Sequence, residues 1–341
     1  MSFETTRPGL IAGPERNRDD SRHESNPAPG PHASLSWQPI AGHEQGMKRN
    51  PLGNSGLEVS ILGFGAMHLN DDRVSDAEAG WLLNAVLDLG VNLIDTARGY
   101  GLSEERIGRH LSWRRRDFVL STKVGYGIPG FDDWTYDCIV AGVDAALARM
   151  QCEHIDIVHL HSCPQHVLAR GDVIRALEIC RDAGKLGVVA YSGDNEEIDF
   201  AIGCGRFGAV QTSVSVCDQV NLAQRLQALK AGGMGVIAKR PLAGAVWNRP
   251  QRPDDHAEGA YWDRWQAMGL EGALHGMDPT EMALRFVAHC PLVSSSIVGT
   301  RSLAHFERNL KVVEQGPLPN EQIELIHAAF RQHGRDWRGL I

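Results

Sequence analysis

The stretch VNLIDTARGYGLSEERIGRHLSWRRRDFVLSTK, residues 91–123, decides the fold. It opens with a short apolar run, VNLID (91–95), that reads as a buried strand. It closes with a second, FVLSTK (118–123). Between them SEERIGRHL, led by Ser103, reads as a helix. A strand, a helix and a second strand in so few residues need a crossover connection, which places the two strands parallel.

The same unit recurs on both sides. Further strand candidates are ILGFGAM (61–67), IDIVHLH (155–161), GVVAYS (187–192), AVQTS (209–213), GVIAK (235–239) and SSSIVG (294–299). Helix candidates alternate with them: SDAEAGWLLNAVLDLG, capped at Ser75 and stopped at Gly90, then YDCIVAGVDAALARM (136–150), VIRALEICRDAGK, IDFAIGC, LAQRLQALKAGG, PTEMALRFVAH and SLAHFERNLKVVEQG. Eight strand–helix units suit a closed (β/α)8 TIM barrel better than an open sheet. Such a barrel takes about 250 residues, so residues 48–341 leave a few dozen over. RNPLGNSGLEVS, with Gly53 and Gly56 as turn formers, reads as a short N-terminal hairpin. Gly244 to Pro279 is a long loop after the seventh strand, expected to form a partly helical lid.

Residues 1–47 are rich in Pro, Gly, Ser, Asn, Arg and Asp, and read as a flexible tail. Met47 is an alternative start. The formal net charge of −8 argues against nucleic acid or an anionic membrane as a partner. The seven cysteines form no CxxC pair, which fits reduced thiols in a cytoplasmic protein better than disulfides or zinc. No apolar run is long enough for a transmembrane helix, and no secretory signal is expected.

Barrel active sites lie at the C-terminal ends of the strands. Asp95, Lys123 and His161 end three successive strands, and Tyr100 follows in the loop after Asp95. An ammonium beside a phenol makes it a stronger acid; one charge at about 4 Å is worth roughly 4 kcal/mol at an effective dielectric of 20. On this reading Asp95 holds Lys123 charged, His161 directs a substrate oxygen, and Tyr100 protonates it. Each residue also has a plainer reading. Asp95 with Thr96 can cap a helix, Tyr100 can pack in its loop, and Lys123 can reach solvent. His159 reads as a core histidine, and His161 divides evenly between the two readings.

NLIDTARGYGLSEERIGRHL resembles the aldo-keto reductase signature. FVLSTKVG, DIVHLHS and SSSIVGTRSLAHFERNL resemble the family's lysine, histidine and C-terminal cofactor segments. The resemblance implies a tetrad of Asp95, Tyr100, Lys123 and His161, and a nicotinamide cofactor stretched across the barrel mouth. Gly65 and Met67 would line the nicotinamide, and Ser192 and Gln211 would bond its carboxamide. Lys239, Arg240, Pro241, Leu242 and Gly244 would wrap the pyrophosphate. Gly299, Thr300 and Arg301 would hold the adenosine phosphate, and Asn309 the adenine. A glycine turn leading into a helix is itself an anion site; an ordinary capped helix is the plainer reading. Arg301 favours NADP(H), with NAD(H) possible, because a guanidinium suits a 2′-phosphate. This sequence departs from the family pattern at Gly193, where Asn is frequent, at Lys239, where a ring-stacking aromatic is frequent, and at Arg308, where an acid is frequent.

Substrate selection is expected from two loops. One carries Tyr126, Phe131 and Trp134; the other carries Trp247, Tyr261, Trp262 and Trp265. Trp262 and Trp265 read equally well as lid packing. The leading expectation is NADPH-dependent, reversible reduction of aldehydes or ketones, with a small carbonyl or alcohol as partner and the oligomeric state open. The alternatives are a cofactor-binding sensor or accessory subunit with little turnover, and a metal-assisted barrel hydrolase or isomerase. No metal site is expected, since His159 and His161 form the sole HxH pair and lack supporting carboxylates.

Overall fold

The structure, a computed structural model, describes residues 47–70, 72–273 and 276–340. The expected tail therefore lies, apart from Met47, outside the described residues. Among these residues, eight parallel strands close a barrel in chain order: β3 (Leu62–Gly65), β4 (Leu93–Asp95), β5 (Val119–Val124), β6 (Ile155–His161), β7 (Leu186–Ser192), β8 (Ala209–Ser213), β9 (Gly235–Lys239) and β10 (Ser295–Val298). The strand β10 pairs with both β9 and β3, through Ser296↔Ala238 and Ser296↔Leu62, and so completes the ring. Helices surround it, and the apolar core between strands and helices includes Phe64, Leu83, Ile139, Val158, Leu177 and Phe306.

Ahead of the barrel stands an antiparallel hairpin, β1 (Arg49–Pro51) with β2 (Glu58–Ser60). Its Leu52 and Val59 pack on Leu93, Val119, Ile157, Val188 and Ile237, at the start of the barrel strands. Asn92 ties the two units, accepting from the Ser60 amide at 2.6 Å and donating to the Glu58 carbonyl at 2.8 Å. Gly53 makes the close approach possible. At φ +53 its absent Cβ would lie 2.3 Å from the Gly233 carbonyl oxygen.

Local signals act as the sequence suggests in the helix Asp76–Asp88. Ser75 accepts from the Glu78 amide, and the Glu78 carboxylate accepts from the Ser75 amide, a complete capping box. The helix led by Ser103 spans Ser103–Leu111 as expected; the Ser103 hydroxyl donates to the Ala66 carbonyl and accepts from the Thr96 hydroxyl, tying the helix to the barrel rim. Two other elements differ from the sequence reading. The single helix expected over 222–233 breaks at Arg225 into Val220–Gln224 and Leu226–Ala231. There the guanidinium grips Asp199 with two nitrogens, at 2.9 and 2.7 Å. A helix at Asn320–His333, burying Ile326 and Phe330, was not anticipated. The long loop after β9 is partly helical, with a 3-10 turn at Ala243–Asn248 and a helix at His256–Met268.

Candidate active site

The pairing of neighbouring strands brings their last residues together. Asp95 aligns with Ser121, His161 with Ser192, Ser192 with Gln211, and Ser213 with Lys239. The Lys123 ammonium donates to Asp95 Oδ2 at 2.6 Å and to the Thr96 carbonyl at 2.8 Å. Both side chains of this pair are nearly sealed from solvent, at 1% and 2% exposure. The other Asp95 oxygen accepts from Ser121 Oγ at 2.8 Å and Gln211 Nε2 at 2.9 Å. Burial works against charge on both groups. The ion pair outweighs it, so the Lys123 pKa lies above its ordinary value, with Tyr100 contributing, and that of Asp95 lies below. The helix-cap reading of Asp95 and the solvent reading of Lys123 are thereby excluded.

Tyr100 lies over this pair, with the ammonium 5.0 Å from its ring centroid. Its loop is fixed at several points: the Arg98 amide donates to the Lys123 carbonyl, and the Tyr100 amide to the Ala97 carbonyl. Gly101 adopts φ +48, and a Cβ there would come within 2.1 Å of the Asn70 carbonyl oxygen. The His161 ring meets that of Tyr100 edge-on, 6.0 Å between centroids. Burial, with Lys123 and Lys239 nearby, pushes the His161 pKa down to about 3. It is therefore a neutral imidazole at physiological pH. His159, one turn of the pleat deeper, is fully buried and held by Ser121 and the Tyr191 carbonyl, as a core histidine should be.

These groups line one cavity of about 870 Å³, within the range of small-molecule sites. Of the residues singled out from sequence, it brings together Gly65, Met67, Asp95, Tyr100, Lys123, His161, Ser192, Gln211, Lys239, Arg240, Pro241, Leu242, Gly244 and Gly299. Thr300, Arg301 and Asn309 lie outside its lining. The Thr300 hydroxyl accepts from the Ser302 amide and Ser302 caps the helix Leu303–Glu314, so two donors expected for an anion are engaged locally.

The substrate-loop expectations are corrected in part. Trp247 does not line the cavity: it packs on Trp265, 5.3 Å between centroids, and donates to Thr280. Tyr261, on the same lid, does line it. Phe131 stands exposed on its loop, while Tyr126 and Trp134 pack against each other behind His161.

Lys239 is tied to Asp194 at 2.9 Å. The buried Asp194 also accepts from Thr212 Oγ1, the Ser213 amide and Asn221 Nδ2. Burial lowers the Lys239 pKa against the pull of Asp194. The Arg240 guanidinium donates to the Leu340 carbonyl at 2.6 Å. Residues 339–340 are pinned further by Asn195, Asp218 and Ser213. Sequence reading missed Asp194 and this C-terminal strap as structural parts of the site, and His68, Arg249 and His256 as lining. His68 could have been found by carrying the strand-end rule one residue past Met67.

The cavity suits a dinucleotide. Ser192 and Gln211 retain free lone pairs and amide hydrogens beside the tetrad, and cationic Arg240 and Arg249 stand further out. Gly299 leaves space that a Cβ would fill, 2.9 Å from both the Gly65 carbonyl oxygen and the His68 ring. A family model described as the aldo/keto reductase family matches residues 61–331. The chain belongs to that family. As an aldo/keto reductase it is an NAD(P)H-dependent oxidoreductase acting on carbonyl and alcohol groups. It is 30% identical to L-galactose dehydrogenase of Arabidopsis thaliana, over 77% of this chain and 87% of that one. It is also 30% identical to a probable voltage-gated potassium channel subunit beta of the same plant, over 80% and 93%. An aldo-keto reductase from Bacillus halodurans, solved in its holo form, superposes with a TM-score of 0.74 at 26% identity, covering 83% of this chain and 96% of that chain. Among the described residues no group of His, Cys, Asp or Glu is arranged to hold a metal ion, and no helix is long and apolar enough to cross a membrane.

Proposed function

We propose that this aldo/keto reductase uses NADPH to reduce aldehydes or ketones reversibly, with Tyr100 as general acid. One observation carries the reading: a buried ammonium, Lys123, clamped by Asp95 and lying against Tyr100 at the floor of a cavity. When bound, the nicotinamide supplies a hydride to the carbonyl carbon. The oxygen that gains charge lies between Tyr100, which gives it a proton, and His161, which directs it. Lys123 offsets the charge left on the tyrosine oxygen, and Asp95 keeps Lys123 protonated. Gly65 and Met67 would border the nicotinamide; Ser192 and Gln211 would take its carboxamide. The segment from Lys239 to Gly244 would hold the pyrophosphate, Gly299 to Arg301 the adenosine phosphate, and Asn309 the adenine. Arg301, exposed two residues after the cavity-lining Gly299, favours the 2′-phosphate of NADPH over NADH.

Tyr100→Phe tests this. It should lower carbonyl-dependent NADPH oxidation by about 10²–10⁴-fold while NADPH binding, followed by protein fluorescence, stays unchanged. Full activity in that variant would refute Tyr100 as the acid. Lys239, where the family often has a stacking ring, favours a second reading. There the chain binds the cofactor and turns over little, serving as a sensor or accessory subunit. Tight NADPH binding without oxidation across a panel of carbonyls would select it.

A further inference from the structure

Tyr126 was expected to face substrate, yet its hydroxyl lies 2.8 Å from His161 Nδ1 and its ring stacks on the imidazole, centroids 5.5 Å apart at 26°. The loop is built to hold it there. Trp134 packs edge-on against Tyr126, 5.8 Å between centroids. Trp134 itself adopts φ +60, a conformation that bulky residues avoid and that persists only where the surroundings impose it. Its amide donates to the Gly125 carbonyl and its carbonyl accepts from Arg170. Arg98 and Asp133 fix Gly127, the residue after the tyrosine. Gly99 leaves room for the hydroxyl: a Cβ there would lie 3.1 Å from it.

The direction of this bond follows from what each partner can do. A phenol has one proton to donate, and a neutral imidazole has one donor and one acceptor nitrogen. Among the described residues, His161 Nδ1 is the acceptor found for the Tyr126 hydroxyl. If His161 donated from Nδ1, the phenol proton would lack a protein acceptor, and Nε2 would present a lone pair to the substrate oxygen. With Tyr126 donating, the phenol proton and Nδ1 satisfy each other, and Nε2 carries the remaining proton. We propose that Tyr126 is a positioning residue, whose O–H to Nδ1 bond and stacked ring lock His161 in the Nε2–H tautomer and aim that N–H at the substrate oxygen. What the N–H does for substrate rests on the reductase reading; the tautomer itself does not. Burial raises the Tyr126 pKa, in keeping with a phenol that retains its proton.

The experiment is nitrogen NMR on the full chain labelled with 15N-histidine, with His161 assigned from the spectrum of His161→Asn. The wild type should show Nδ1 as the unprotonated, hydrogen-bonded nitrogen and Nε2 as the protonated one. Tyr126→Phe keeps the ring stack and removes the donor. It should move the Nδ1 resonance toward that of a free pyridine-type nitrogen and lower kcat about tenfold, with the KM for NADPH unchanged. A wild-type spectrum with the proton on Nδ1, or a Tyr126→Phe spectrum with unmoved His161 nitrogens, overturns the proposal. The wild-type measurement needs no variant and no turnover. If Tyr100→Phe abolishes reduction while the proton is found on Nδ1, the tautomer lock alone fails. If no carbonyl is reduced while Nε2 carries the proton, the reductase reading alone fails.

Discussion

Replacing Asp95 by Asn removes the charge that holds Lys123 in the barrel. At 2.6 Å and an effective dielectric of 20, the attraction is roughly 6 kcal/mol, set against desolvation of several kcal/mol per ion. Losing one partner strands the other. In Asp95→Asn, Lys123 keeps the Thr96 carbonyl, so the variant should lose about 3–5 kcal/mol of stability. In Lys123→Met, Asp95 still accepts from Ser121 and Gln211, so the loss should be smaller. The double variant buries no net charge and should be more stable than Asp95→Asn. Urea unfolding of the four proteins at pH 7 gives the coupling directly. The sign extends to pH. The stability from Asp95, whose folded pKa is depressed, is present above the unfolded carboxylate value and lost as pH falls through the folded one. That from Lys123, whose folded pKa is raised, is present below the unfolded ammonium value and lost as pH rises through the folded one. Additive single effects, or a double variant less stable than Asp95→Asn, would refute the account of a mutually dependent buried pair.

The core histidine gives a second pH effect of its own sign. His159 is buried neutral, with its pKa pushed down to about 4, so protonation favours the unfolded chain. Urea midpoints should be flat above pH 6.5 and fall below it, and His159 alone should cost about 3 kcal/mol by pH 4. Gly101→Ala places a methyl against the Asn70 carbonyl at a left-handed position. It should cost more than the about 1 kcal/mol typical of point substitutions, seen as a lower urea midpoint, and should displace the loop of Tyr100, seen as a lower kcat with NADPH affinity nearly unchanged.

Much of this was legible because buried parallel strands appear as short runs rich in apolar and β-branched residues, set off from the helical stretches between them. Ile155–His161, Ala209–Ser213 and Gly235–Lys239 have the boundaries their composition indicates. Strand ends in a barrel converge, so Asp95, Lys123 and His161 could be grouped before any coordinates. The partners of these residues were not legible. Tyr126 reaches His161 only because Gly125, at φ +149, and Trp134 fold one loop back on itself. The strap at Gly339 and Leu340 is bonded mainly through its backbone to residues 100 or more positions away, and backbone partners carry no side-chain signature. Which lid aromatic turns inward depends on the rotational phase of the helix His256–Met268. Composition leaves that phase open, so of the four lid aromatics named from sequence Tyr261 lines the cavity, while Trp247, on the preceding 3-10 turn, packs on Trp265 instead.

The hairpin of β1 and β2 makes the barrel a stoppered flask. With Leu52 and Val59 wedged under the strands, the described residues leave the reaction chamber a neck but no drain. Whatever binds in the chamber is therefore exchanged at the C-terminal ends of the strands. Stopper and neck also occupy opposite ends of the strands, which lets the stopper residues tune how firmly the vessel holds while the neck residues change what it admits.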